Sequence, residues 1–274
     1  MRKVDRSFEW KIPIRFYGKV VDQHDLPVAE AAVRYGWNDV EGSHEQHTRS
    51  DANGQIVIDG LHGKILSVDV SKDGYHSSTS GPHSFEYAAF FEADYHRPDS
   101  ENPVTFRLVK KLAQEPLIAR HVSERVPYDQ VSYYDLERGR LSSELPGGLA
   151  LKFSFERGES PQGQPFNWEA RVEAVNGGLQ ETKEEFAHLA PETGYVAARE
   201  ISHTINEQPF RGSAQMRLYV RTADKYARVD INVVHPNSRS LGPRLSINSF
   251  LNPAGSRNLE PGVAAQTSTR NGPL

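Results

Sequence analysis

Cysteine is absent from the 274 residues, which removes disulfides, thiolate nucleophiles and thiolate metal sites together. No apolar run approaches the roughly 20 residues a helix needs to cross a bilayer, so no membrane span is expected. A surplus of positive charge is also missing. With 32 Lys and Arg against 36 Asp and Glu the net charge is -4, which argues against a broad nucleic-acid surface. Phosphate-loop and dinucleotide glycine patterns, a Gly-x-Ser-x-Gly elbow and a His-Glu-x-x-His zinc motif do not occur, and the chemistries that need them lose their support. Long amphipathic helices are lacking as well; residues 184–189 offer one helical turn at most.

What is present is alternation. Ile14, Phe16, Gly18 and Val20 alternate with Arg15, Tyr17, Lys19 and Val21, the period of two that sets one strand face against a core. Asp22 to Asp25 form a polar cluster that can bond its own backbone, Pro27 fixes φ as the chain turns, and Val28 opens a return strand. Residues 48–58 read as strand, Asn53-Gly54 turn and strand. Residues 64–75 add a strand that ends at Asp73-Gly74, with Tyr75 folding its ring over the sheet edge. Phe85, Tyr87, Phe90, Phe91 and Tyr95 follow in an irregular stretch, where closing the core is favoured over forming a binding rim. Val104, Phe106 and Leu108 make the last strand of a first domain over residues 12–112.

Residues 113–127 hold Glu115-Pro116 and Val126-Pro127 with little periodicity and read as a linker, with one short strand at most. A second β-rich domain occupies residues 128–262. Leu149, Leu151, Phe153 and Phe155 share one strand face, residues 168–175 form another strand, and residues 213–222 and 226–235 form a hairpin that sets Met216, Leu218 and Val220 against Val229, Ile231 and Val233. Residues 244–251 supply a final strand. The Gly, Ala, Gln, Ser and Thr of residues 263–274 predict a disordered tail. The fold class is therefore all-β, with two sandwich-like domains.

Gly18-Lys19-Val20-Val21-Asp22, Leu26-Pro27-Val28, Ala31-Ala32-Val33, Ser50-Asp51-Ala52-Asn53-Gly54 and Lys72-Asp73-Gly74-Tyr75 together resemble the carboxypeptidase regulatory-like domain. That resemblance implies a transthyretin-like, Greek-key sandwich of about seven strands that serves as an accessory module rather than a catalyst. In the second half, Gly177-Gly178-Leu179, Ala190-Pro191-Glu192, Tyr226-Ala227-Arg228 and residues 251–260 resemble the C-terminal region of bacterial exported proteins that carry such a domain in front. The start, Met1-Arg2-Lys3, is basic with no apolar stretch behind it. The resemblance implies an extracytoplasmic protein, periplasmic or secreted, whose signal peptide has been trimmed; without that trimming a cytoplasmic location is expected.

Candidate chemistry is sparse. His44 and His47 lie three apart and with His62 or His24 would offer a zinc site, but at a polar loop entering a strand they point to opposite sides, so no metal is expected. Intradiol ring-cleaving dioxygenases are similar in pattern over residues 18–74, yet their His-x-His pair is missing. Phe210-Arg211-Gly212-Ser213 is similar to the terminal Tyr-Arg-Gly-Ser of transthyretin-related hydroxyisourate hydrolases, but it lies inside the second domain. Asn252-Pro253 and Gly255 make a turn that brings Ser256, Arg257, Asn258 and Glu260 into a donor-rich cluster; Arg257 there either clamps a carboxylate or a sugar hydroxyl pair or, with Glu260, staples the chain end to the sandwich. Trp37 and Trp168 are candidate sugar platforms, with core packing the competing role. The expected function is a non-enzymatic envelope module that binds a polysaccharide or a protein partner without a cofactor. The alternatives are an enzyme, either an extracellular hydrolase or an intradiol-type dioxygenase, and a structural or adhesive module pairing through its sheet edges.

Overall fold

In the computed structural model the described residues are 8–78, 81–88, 95–161, 164–206, 209, 211–222, 224–236 and 241–262. Phe90, Phe91, Phe210 and the tail expected over residues 263–274 lie outside them. The chain divides between Lys111 and Leu112 into two compact units, and each is all-β apart from a 3-10 turn at Phe8–Lys11.

The first unit contains β1 (Pro13–Val21), β2 (Ala32–Asp39), β3 (Gly42–Arg49), β4 (Gln55–His62), β5 (Ile65–Ser71), β6 (Tyr75–Ser77), β7 (Ser84–Glu86) and β8 (Val104–Lys110). Two four-stranded sheets result, ordered β4-β1-β8-β6 and β3-β2-β5-β7, so the described residues hold eight strands where seven were expected. Alternation does its work in β1: Ile14, Phe16 and Val20 are buried and pack with Val33, Leu66, Val68, Phe85, Phe106 and Leu108 of both sheets. The β1–β8 pair is parallel, Gly18 opposite Val104 through Val21 opposite Arg107. The Asn53-Gly54 turn carries the chain from one sheet to the other and does not close a hairpin, because β3 and β4 belong to different sheets. Gly54 has φ of 73°, and a Cβ there would lie 2.4 Å from the Val20 carbonyl oxygen.

That close approach separates two otherwise alike glycines. Gly74 also has positive φ, 79°, but a Cβ there would meet nothing within 4 Å. Gly74→Ala is expected to cost about 1 kcal/mol, the left-handed penalty alone. Gly54→Ala adds a backbone clash and is expected to cost at least about 2 kcal/mol. Urea titrations of the two variants, followed at Trp37, check the difference.

The second unit contains β9 (Ile118–Arg125), β10 (Ser132–Asp135), β11 (Arg140–Ser142), β12 (Ala150–Arg157), β13 (Trp168–Ala174), β14 (Gly178–Glu181), β15 (Ala198–His203), β16 (Ser213–Arg221), β17 (Tyr226–Val234) and β18 (Arg244–Asn252). Its two antiparallel sheets run β11-β10-β12-β13-β15 and β14-β16-β17-β18-β9. Leu151, Phe153, Phe155 and Trp168 of the first sheet pack on Met216, Leu218, Val229, Ile231 and Ile247 of the second. The β16–β17 register places Leu218 opposite Val229 and Met216 opposite Ile231.

Two expectations are corrected here. The segment taken as linker holds β9, an eight-residue edge strand paired with β18 from Ile118–Leu251 to Arg125–Arg244. Its alternation is hidden because the strand face that carries Ile118 and Val122 also carries Arg120 and Glu124, both exposed. Residues 184–189 form no helical turn; they cross the outer face of the second sheet, where Ala187 and Ala190 bury against Tyr219 and Leu259.

Candidate functional site

The structure brings together five of the seven residues singled out from sequence, and it sets them against the chain's own groups. Asn252 closes β18 fully buried. Its Nδ2 donates to Glu115 Oε2 at 2.7 Å and to the Asn258 carbonyl at 2.8 Å, and its Oδ1 accepts the Ala254 amide at 3.0 Å. Ser256 Oγ donates to the other Glu115 oxygen at 3.0 Å, and Asn258 Nδ2 donates to the Ala113 carbonyl at 2.6 Å. The Asn252 amide, and after it the Ser256 hydroxyl, hold the Glu115 carboxyl below the usual carboxylate range. Glu260, 2% exposed, accepts from the Leu112 amide at 3.3 Å and contacts His188 Nδ1 at 2.9 Å. Arg257 does clamp a carboxylate, that of Glu192 at 3.0 Å. The arrangement is a clasp that ties residues 252–260 to the strand entering β9.

Glu115, His188 and Glu192 complete this clasp and were not legible in the sequence. Glu115 sits in a stretch without periodicity, and its partners lie more than a hundred residues away in the chain; the adjacent Pro116 marked only a break.

Both candidate tryptophans are buried. Trp37 is 9% exposed, within the first unit's core, with His44 stacked on it at 5.0 Å and 20°. The His44 ring is held by Asp39 Oδ1 at 2.9 Å. His47, three residues on, pairs instead with Glu45 at 3.4 Å and borders a shallow recess with Arg34 and Asp69. The two imidazoles thus leave opposite faces of β3, as a strand dictates. Trp168 is 3% exposed and donates its indole N–H to the Arg211 carbonyl at 2.8 Å.

Trp168 belongs to a buried aromatic cage. The His235 ring stacks on Trp168 at 4.4 Å and 26° and on Tyr128 at 5.9 Å and 22°, with Phe155 and Phe166 edge-on. Tyr128 OH lies 2.9 Å from His235 Nδ1. Burial, reinforced by the nearby Arg157 guanidinium, pushes the imidazole down to about 4, so it is neutral near pH 7.

Beside this cage the flank of the second unit is open. A cleft of about 610 Å³ lies between β15 and β16, with Trp168, Ile201 and His203 on one side and Ser213, Ala214 and Gln215 on the other. Its volume falls within the range of ligand sites, roughly 300–1,000 Å³. Arg211 also lines it, its backbone amide donating to His203 Nε2 at 3.1 Å. No carboxylate lines it among the described residues.

No protein-family model and no curated protein matches this sequence. Among solved structures the chain is similar to the 3-chlorocatechol 1,2-dioxygenase of Rhodococcus opacus 1CP, with 17% identity and a TM-score of 0.27 over 38% of this chain and 63% of the dioxygenase. It is also similar to the full-length major pilin SpaD of Corynebacterium diphtheriae, with 10% identity and a TM-score of 0.27 over 85% of this chain and 64% of the pilin. The chain thus spans less than two thirds of either protein, and at these scores neither likeness carries an activity across.

Proposed function

We propose that this protein is a non-catalytic, extracytoplasmic module of the bacterial envelope whose second sandwich holds a protein partner, with the first sandwich serving as a carboxypeptidase regulatory-like accessory domain. The cleft between β15 and β16 is the observation that carries this reading. Its rim is dense in hydrogen-bonding groups, and its apolar floor is pinned by the cage around His235. The clasp supports a structural role for residues 252–260, since Asn252, Ser256, Asn258 and Glu260 all bond to groups of the same chain. A polysaccharide would be gripped by stacking on aromatic faces, and the two candidate indoles are packed away.

A photo-crosslinking residue at Ser202, beside the cleft, tests the reading in envelope extracts, with the same residue at Asp59 of the first unit as control. A discrete protein adduct from Ser202 and none from Asp59 is the expected result. Salt-resistant retention on purified insoluble polysaccharide, with no protein adduct, would overturn it in favour of a sugar binder.

A further inference from the structure

Both lips of the cleft are strand edges. In β16 the Thr182 amide donates to the Arg217 carbonyl at 3.0 Å, so the backbone groups of Arg217 face the lane in which β14 runs. Alternation makes those of Gln215 and Ser213 face the same way, while the even-numbered residues turn to β17. β14 covers β16 only from Leu218 to Arg221. Below Arg217 no strand among the described residues pairs with this side of β16, and Ser213, Ala214 and Gln215 line the cleft there.

The opposite lip matches. The Ala174 amide donates to the Ala197 carbonyl at 3.1 Å, so odd-numbered residues of β15 face β13 and the backbones of Glu200 and Ser202 face outward. β15 is the last strand of its sheet. Two unpaired edges therefore flank one gap, and an extended chain laid in it would run antiparallel to β16 and bond to both.

We infer that this gap is a strand-addition site for an extended, acidic peptide segment of a partner protein, entering the lane that β14 leaves at Glu181; this rests on the protein-partner reading above. Charge complementarity selects the occupant. Arg211 lines the cleft, no carboxylate does so among the described residues, and Arg199, outside the lining but on the same face of β15 as Ile201 and His203, has a buried Nε with no hydrogen-bond partner among the described residues. The carboxylate of Glu200 is already engaged by Arg171. Alternate side chains of the incoming strand would point in toward Ile201, Trp168 and Ala214, where small apolar groups fit, and out toward solvent. Four residues of β16, Ser213 to Met216, give the site a length of about 14 Å.

A random decapeptide library selected against the full chain, with amide hydrogen exchange on the same protein, tests the inference. The expected result is enrichment of acidic peptides that alternate with small apolar residues, fast exchange of the Gln215 amide in the free protein, and slowing of that amide when a selected peptide binds. Gln215→Pro deletes an N–H that faces the gap and spares the β16–β17 ladder, and it is expected to weaken selected peptides at least tenfold while Met216 and Leu218 stay protected. Should Gln215→Pro not fold, slowing of the wild-type Gln215 amide by bound peptide decides alone. Peptides that leave that amide unchanged, a library that enriches nothing, or a Gln215 amide already protected in the free chain would each overturn strand addition. The Ser202 adduct, scored separately, then shows whether a protein partner exists by another route.

Discussion

Acidification from pH 6.5 to 4 is expected to remove about 3 kcal/mol from the stability of the second unit, and His235→Phe is expected to abolish most of that loss. In the unfolded chain an imidazole takes its proton near pH 6.5. In the cage it does so only near 4, because Tyr128, Phe155, Phe166 and Trp168 have replaced water and the Arg157 guanidinium repels a second positive charge. Protons therefore bind the unfolded chain preferentially across this window. The stability that a neutral His235 contributes is complete above pH 6.5 and is lost progressively as the pH falls to about 4. A shift of about 2.5 units corresponds to about 3 kcal/mol at 1.36 kcal/mol per unit. Phenylalanine keeps the stacked ring, removes the titration and removes the Tyr128 OH–His235 Nδ1 hydrogen bond, so the variant should lose about 1 kcal/mol at pH 7.5. Urea titrations at closely spaced pH values, read from Trp168 fluorescence and amide exchange in β17, check both slopes. An unchanged slope in the variant would mean that other groups carry the acid response. Carboxylates with lowered pKa, such as Asp135 and Glu173, act in the same direction but at lower pH: their contribution is complete above their ordinary range and is lost as the pH falls through their folded values.

Asn252→Ala is expected to cost about 3 kcal/mol and to release the clasp. The side chain is fully buried and makes three hydrogen bonds, one of them to a carboxylate. Its removal takes a charge-assisted hydrogen bond from the half-buried Glu115 carboxylate, worth about 1.5–3 kcal/mol, and the bonds to the Asn258 carbonyl and the exposed Ala254 amide, worth about 0.5–1.5 kcal/mol each. The expected signature is local as well as global: amides of Ala254, Asn258 and Glu260 should exchange faster, while β12 and β13 keep their protection relative to the new global stability. Asn252→Asp should be at least as damaging, because it turns the donor facing Glu115 into a second carboxylate and raises the Glu115 pKa. A variant that loses stability with no faster exchange in residues 254–260 would show that Asn252 acts through β18 and not through the clasp.

Sequence patterns were most informative where one strand face is apolar and continuous. The core face of β1, the hairpin of β16 and β17, and the face of β12 could be read from alternation, because burial on one side imposes period two regardless of what lies opposite. Turn chemistry was equally readable at Gly54 and Gly74, where positive φ selects glycine. What those turns connect was not readable: a sheet-crossing turn and a hairpin turn use the same residues. β9 escaped because the face that carries Ile118 and Val122 also carries the exposed Arg120 and Glu124, and an edge strand needs no continuous apolar row.

The candidate site divides along the same line. Composition and local pattern alone determined the all-β class, the absence of disulfide chemistry and the polar cluster that follows the last strand. They could not say what that cluster faces, because Glu115 and Asn252 meet through pairing of β9 with β18 across 137 residues of chain. The burial of Trp37 and Trp168 and the neutral His235 were likewise decided by packing, since a ring on a strand has the same local sequence whether its outer face meets solvent or another sheet. The gap between β15 and β16 belongs wholly to the tertiary structure. It exists because β14 stops short of its neighbour's full length, and whether a backbone group is paired depends on what runs beside it, which no local stretch of sequence encodes.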